Sequence, residues 1–193
     1  MARRLGAWLV FLDETGLLMT PLVRATWAPR GCTPHLGQFM GEREKITVIG
    51  ALCVHPTRRR VRLCLAFFPG DHVDGELTRL FLAALLGHLR GPVVLVWDRL
   101  GAHQSEEVQE LVEERPRLQT HLLPPYCPEL NPVEALWAWL KWDQLSNFAP
   151  QTLAALEEKA GTLCAQAAKD QELLRSFIAH GALPLDLVGG GGH

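Results

Sequence analysis

Residues 122–141 read Leu-Leu-Pro-Pro-Tyr-Cys-Pro-Glu-Leu-Asn-Pro-Val-Glu-Ala-Leu-Trp-Ala-Trp-Leu-Lys, and this stretch must change backbone type partway along. Four prolines fall in its first eleven residues. Pro124, Pro125 and Pro128 fix φ and push the residues before them toward extended conformations. Asn131-Pro132 then reads as a helix start, with Asn131 as N-cap and Pro132 at the first helical position. Val133, Leu136, Trp137 and Leu140 recur at helical spacing as a buried face, and Glu134, Ala138 and Lys141 form a strip beside it. Glu134 has two readings. It can close a capping box and meet the positive end of the helix dipole, or it can present its carboxylate to a cleft.

Two further acids stand at the ends of apolar runs upstream. Residues 7–12 form a continuous apolar run that stops at Asp13-Glu14-Thr15-Gly16, which reads as a buried strand followed by a turn, with Asp13 at the exit. Val93–Trp97 is a second such run and ends in Asp98. Between them lie a strand over residues 45–54, a turn over 55–59, an alternating strand from Val61 to about Phe67, and a helix over 74–89 that ends at Gly91-Pro92. The intervening helix makes a parallel return beside the first strand the natural topology. Ser105 caps a helix over residues 106–115, a short strand follows over 118–123, and helices over 153–168 and 172–179 close the chain.

This order predicts an α/β fold with a mixed five-stranded sheet covered on both faces. Its two parallel strands bring Asp13 and Asp98 to one sheet edge, and the helix after the fifth strand brings Glu134 opposite them. Three carboxylates are a hard-oxygen set that suits Mg²⁺ or Mn²⁺. Two such ions, about 3.5 to 4 Å apart, activate water and stabilise the leaving oxygen of a phosphodiester.

Composition sets the frame for this chemistry. The chain has 193 residues, 48% of them hydrophobic, which suits one domain, here residues 1–188, followed by a flexible Gly-rich tail at 189–193. Five scattered cysteines without a Cys-x-x-Cys pair support neither a disulfide framework nor a zinc site, and point to a reducing cytosol. The early apolar run is too short for a signal peptide, and no stretch suits a membrane span. Net charge is −2, but residues 1–63 carry ten Lys/Arg against four acids, and the remainder carries nine against seventeen. Arg58, Arg59 and Arg60, with Arg62, read either as phosphate contacts or as a solvated hairpin tip.

Asp13-Glu14, residues 27–31 (Trp-Ala-Pro-Arg-Gly), Asp98 with His103 five later, and the Pro-Pro-Tyr segment through Glu134 to Trp137 and Lys141 closely resemble the catalytic domain of DDE transposases from mariner-like bacterial insertion sequences. The resemblance covers nearly the whole chain. It implies a ribonuclease H-like fold, Asp13, Asp98 and Glu134 as metal ligands and catalytic residues, and one or, more typically, two Mg²⁺ or Mn²⁺ ions. It also implies DNA hydrolysis at insertion-sequence ends followed by strand transfer, with terminal repeats and target DNA as partners, self-association on DNA and a cytoplasmic location, at the nucleoid when bound to DNA. Two departures stand out. Arg99 occupies a position where members usually carry Asn, and only six residues precede the first strand, where members carry helix-turn-helix segments that read DNA. The expectation is therefore a catalytic domain without its DNA-reading half, which a separately encoded or frameshift-fused segment would supply.

Other residues are expected around the site. Glu14 reads as a second acid behind the ligands or as a solvated turn residue; His103 as a phosphate or water contact or as a capping residue. Arg99, Asn131 and Lys141 are further candidates for supporting the acids or touching DNA. Asp71 and Asp74 read as loop and cap residues, and Trp139 and Trp142 as packing on the last helices or as a partner surface. An aspartyl-phosphate phosphohydrolase would need Asp where Thr15 stands, and it leaves the Pro-Pro-Tyr segment unexplained. The alternative from another class is a catalytically incomplete fragment that binds DNA or full-length transposase as an inhibitor.

Overall fold

A computed structural model describes residues 2–20, 22–25, 30, 44–70, 72–183, 185 and 187. Residues 27–29, Gly31, Asp71 and the tail at 189–193 lie outside the described residues, as does most of the loop expected over 27–37. Five strands, β1 (Trp8–Leu18), β2 (Lys45–Val54), β3 (Val61–Pro69), β4 (Val93–Trp97) and β5 (Leu118–Leu122), form one sheet in the order β3-β2-β1-β4-β5. The first three are antiparallel neighbours, and β4 and β5 run parallel to β1. The helices are α1 (Gly75–His88), α2 (Glu106–Glu113), α3 (Val133–Ala138), α4 (Leu153–Ala167) and α5 (Gln171–His180).

Period-two alternation along β1 feeds two cores. Leu9 and Phe11 join Ile46, Val48, Leu52 and the buried residues of α3, α4 and α5, whereas Trp8, Val10 and Leu12 join Ile49, Ala51 and the inner faces of α1 and α2. Each fully buried Phe or Leu contributes roughly 1.5–3 kcal/mol relative to exposure, so both faces of the sheet are firmly held. Among the described residues no helix is long and apolar enough to cross a membrane.

The expected turn after Leu12 is not there. β1 continues through Asp13-Glu14-Thr15-Gly16 to Leu18, paired residue for residue with β2 as far as Lys45. Its pairing with β4 stops at Phe11 opposite Val96, so Asp13 lies just past the parallel contact while still held from the other side. Polar residues in mid-strand read as a turn because the sequence does not reveal that β2 is long enough to pair with them.

The helix caps follow the sequence. Asp74 accepts from Leu77 N–H at 2.9 Å, Ser105 from Val108, Thr152 from Ala155, and Asp170 from Glu172 and Leu173. The helix expected to run from Val133 to Lys141 is regular only to Ala138 and widens into a π-helical turn over Trp139–Gln144, closed by Leu145 N–H donating to the Leu140 carbonyl at 2.9 Å. Trp139 packs on Phe177 of α5, and Trp142 is about half exposed.

β3 and β5 are the edge strands, and the start of β3 is covered. The Gln171 side-chain amide accepts from Val61 N–H at 3.0 Å and donates to Val61 C=O at 2.9 Å. At the β2–β3 turn, Arg59 and Arg60 are exposed, but Arg58 is not a solvated tip residue. Its backbone takes φ 60°, the side chain is buried, and its Nη1 has no hydrogen-bond partner. Arg62 lies over the Trp8 ring at 4.9 Å.

Candidate active site

Asp13 shares the strand face of Leu9 and Phe11 and so points toward α3, where Trp137 Nε1–H donates to its Oδ2 at 3.0 Å. That approach depends on Gly50, the residue opposite Asp13 on β2. A Cβ at position 50 would lie 2.5 Å from Trp137 Cη2, so only glycine lets the indole close over the strand. Glu14, the next residue, points to the other face of the sheet. One dipeptide thus supplies acids to two sides.

On that other side Glu14 meets His103, which is buried in the 3₁₀ turn Gly101–Gln104 after β4. His103 Nε2 lies 2.9 Å from Glu14 Oε1, and Nδ1 lies 3.0 Å from Asp98 Oδ1. The ring stacks on Trp97 at 4.4 Å between centroids and 12° between planes. Burial alone would pull the imidazole pKa down, but hydrogen bonds to Asp98 and Glu14, with their charges, lift it to about 9. His103 is therefore an imidazolium bridging two carboxylates and not a group at the cleft surface, and Glu14 is its partner and not a turn residue. His103 in turn holds Asp98 below its usual carboxylate range, helped by Leu100 N–H donating to Oδ1 at 2.9 Å. Each aspartate thus has one oxygen fixed by a neighbour, which leaves Asp13 Oδ1 and Asp98 Oδ2 uncommitted.

The helix start at Asn131 matches expectation in its cap. The Asn131 side chain accepts from Val133 N–H at 3.3 Å and donates to the Leu12 carbonyl at 3.3 Å, tying the loop to β1. The backbone N–H of Asn131 is taken by the Pro128 carbonyl at 2.8 Å. The reciprocal half of a capping box has no donor left, so Glu134 is released from that duty.

Asp13, Asp98 and Glu134 line one cavity of about 450 Å³, with Arg99, Leu100, Asn131 and the segment from Leu123 to Pro128. Asp13 is pushed up to about 8 by burial first, then by the charges of Glu134, Glu14 and Asp98, against the Trp137 hydrogen bond that lowers it. Asp13 therefore senses the charges of both other acids. Among the described residues, however, no three His, Cys, Asp or Glu side chains are gathered closely enough to hold a metal ion as they stand. Uncompensated carboxylates repel, and two of these are turned toward Trp137 and His103. Coordination by all three would need them to draw inward. The donor set fits a hard divalent cation: all three side chains are hard oxygen donors, and Asp13, buried beside the other two, ionises at a cost that a cation would offset.

Lys141 senses Glu134 and Asp13, but burial lowers its pKa, and it lines a separate apolar cavity with Leu17, Leu145 and Phe148. Arg58, Arg59 and Arg60 do not line the acidic cavity. Sequence reasoning assigns Trp137 only to the core and overlooks Gly50; a glycine inside a continuous apolar strand is the available signal.

Residues 8–157 match the DDE superfamily endonuclease family. The chain is 29% identical over 127 residues to an insertion element IS630 uncharacterized 39 kDa protein of Shigella sonnei, covering 65% of this chain and 35% of that protein. Its fold is similar to that of Mos1 transposase in a paired-end complex with the left transposon end, with a TM-score of 0.67, 17% identity, and coverage of 91% of this chain and 52% of the other. The catalytic domain of Mos1 mariner transposase gives a TM-score of 0.62 at 16% identity, covering 89% and 75% of the two chains. These likenesses support the ribonuclease H-like sheet. The chain spans about a third of the IS630 protein and about half of the full Mos1 chain.

Proposed function

Because this chain belongs to the DDE superfamily endonuclease family, we propose that it cuts and joins DNA strands at the ends of an insertion element, using Asp13, Asp98 and Glu134. The observation that carries the reading is the shared cavity of these three acids, with Asp13 raised to about 8 by burial and by its neighbours' charges. The reaction class is phosphoryl transfer. Water attacks phosphorus and expels a 3′-hydroxyl, leaving a 5′-phosphate on the other strand end; that 3′-hydroxyl then attacks a second phosphodiester and displaces its 3′-oxygen. The three carboxylates would hold divalent cations, Mg²⁺ or Mn²⁺, which supply charge stabilisation and an activated water.

The chain's own residues set the geometry. Trp137 orients Asp13, the His103–Glu14 pair orients Asp98, and Asn131 anchors the segment that carries Glu134. Arg99, exposed at the cavity wall, is positioned to meet a phosphate oxygen. The same residue supports a second reading. A guanidinium beside three carboxylates offsets part of their charge, as in a protein that binds DNA or a partner transposase without cutting.

Nicking of supercoiled DNA in Mg²⁺ separates the two. The wild type is expected to nick, and Asp98→Asn and Glu134→Gln to lose activity at least a hundredfold while staying folded, Glu134→Gln with an unchanged melting temperature. A wild type that binds DNA but leaves it intact supports the inhibitor reading. Equal loss of activity and folding in Glu134→Gln would return that residue to a structural role.

A further inference from the structure

We infer that Tyr126 is a stacking platform for a terminal, unpaired nucleobase at the rim of the acidic cavity, an assignment that rests on the DNA-strand reading above. Tyr126 is the chain's single tyrosine, its side chain is 100% exposed, and it lines the same cavity as Asp13, Asp98 and Glu134. A wholly exposed ring buries no apolar surface, so it contributes almost nothing to folding.

Its backbone adds a cost. Tyr126 sits at φ 59°, in the left-handed region, where a bulky non-glycine residue loses roughly 1–3 kcal/mol. The loop is nonetheless fixed at both ends. Leu123 N–H donates to the Trp97 carbonyl at 2.7 Å on one side, and on the other the Cys127 and Pro128 carbonyls accept from Leu130 and Asn131. Pro124, Pro125 and Pro128 stiffen what lies between. The frame holds the ring outward at the cavity mouth and does not let it fold back.

The surroundings select the ligand. Arg99 is the one cationic side chain among the residues lining the cavity and can take a phosphate oxygen, whereas Pro124, Pro125 and the exposed side chain of Leu100 add apolar surface beside Tyr126 in the lining. An uncharged π-face among such neighbours suits the face of a base. Within a duplex those faces are stacked on one another and only edges are offered in the grooves. A free face exists at a strand end or at an unstacked nucleotide, and aromatic side chains recognise it without regard to sequence. Tyr126 would thereby hold the end nucleotide while its phosphodiester lies over the acids.

The test uses the whole chain with Ca²⁺ in place of Mg²⁺ to prevent cutting, and duplexes carrying 2-aminopurine at a mispaired or a fully paired terminus. Wild-type protein is expected to quench the mispaired probe on binding. Tyr126→Ala should weaken that binding about 5- to 150-fold, equivalent to about 1–3 kcal/mol, and lose the quenching. Tyr126→Phe should restore both to within about twofold, and binding to the paired terminus should change less than about twofold in either variant. Equal binding of the mispaired duplex by wild type and Tyr126→Ala, or a failure of Phe to rescue, overturns the stacking platform alone. A wild type that binds neither duplex up to about 1 mM overturns the DNA-strand reading and this assignment with it.

Discussion

Asp13→Asn is expected to stabilise the metal-free protein, and to do so increasingly as pH rises. The folded carboxyl titrates at about 8 against 3.8 for the free group, because it is buried beside other acids. For an acid shifted upward, stability is fully present below pH 3.8 and is lost as pH rises through about 8, since the unfolded chain ionises first. At about 1.4 kcal/mol per pH unit, the difference between pH 5 and pH 8 is ~4 kcal/mol. Asn cannot ionise, yet it keeps an oxygen to accept the Trp137 N–H. The Tm advantage of the variant should therefore widen by roughly 8–16 °C across that interval, given about 2–4 °C per kcal/mol for a chain of this size. Thermal melts of both proteins in EDTA at the two pH values measure it. Adding Mg²⁺ at pH 8 should then raise the wild type far more than the variant. A gap that stays constant with pH, or an Asn protein that melts lower at both values, refutes the argument that ionising Asp13 in the folded protein carries a cost.

His103 carries the opposite expectation. Its folded pKa of about 9 exceeds the free value of 6.5, so its contribution is fully present below pH 6.5 and is lost as pH rises through about 9, amounting to about 3 kcal/mol. Urea denaturation of His103→Gln should lack that pH-dependent increment, and an unchanged slope would show the bridge to Glu14 and Asp98 to be energetically idle. Gly50→Ala should displace the Trp137 indole and cost about 1–3 kcal/mol, with a changed near-ultraviolet circular dichroism signal. An alanine protein with wild-type melting and spectrum would mean that the strand yields easily there.

The elements with strong periodicity were legible in the sequence: the apolar runs of β1 and β4, the caps at Asp74 and Ser105, and the Asn-Pro helix start. The convergence of Asp13, Asp98 and Glu134 on one cavity followed from strand ends and topology. What escaped depends on contacts between residues far apart in the chain. The length of β1 is set by β2, the charge on His103 by Glu14, and the orientation of Asp13 by Trp137 through Gly50. Arg58 escaped for a local reason. A left-handed backbone at a non-glycine residue has no composition signal, so an arginine run reads as solvated even where one side chain turns inward.

An open sheet edge is a template on which a foreign strand can grow, and the Gln171 amide limits that hazard here. By occupying both backbone groups of Val61 it imitates a partner strand at the point where pairing would begin. At the far end of β3, Pro69 brings no N–H to a ladder. Both ends of β3 are thereby closed to pairing, which shortens the edge that a copy of the chain could extend. One glutamine on α5 supplies half of that protection, independently of any chemistry at the acids.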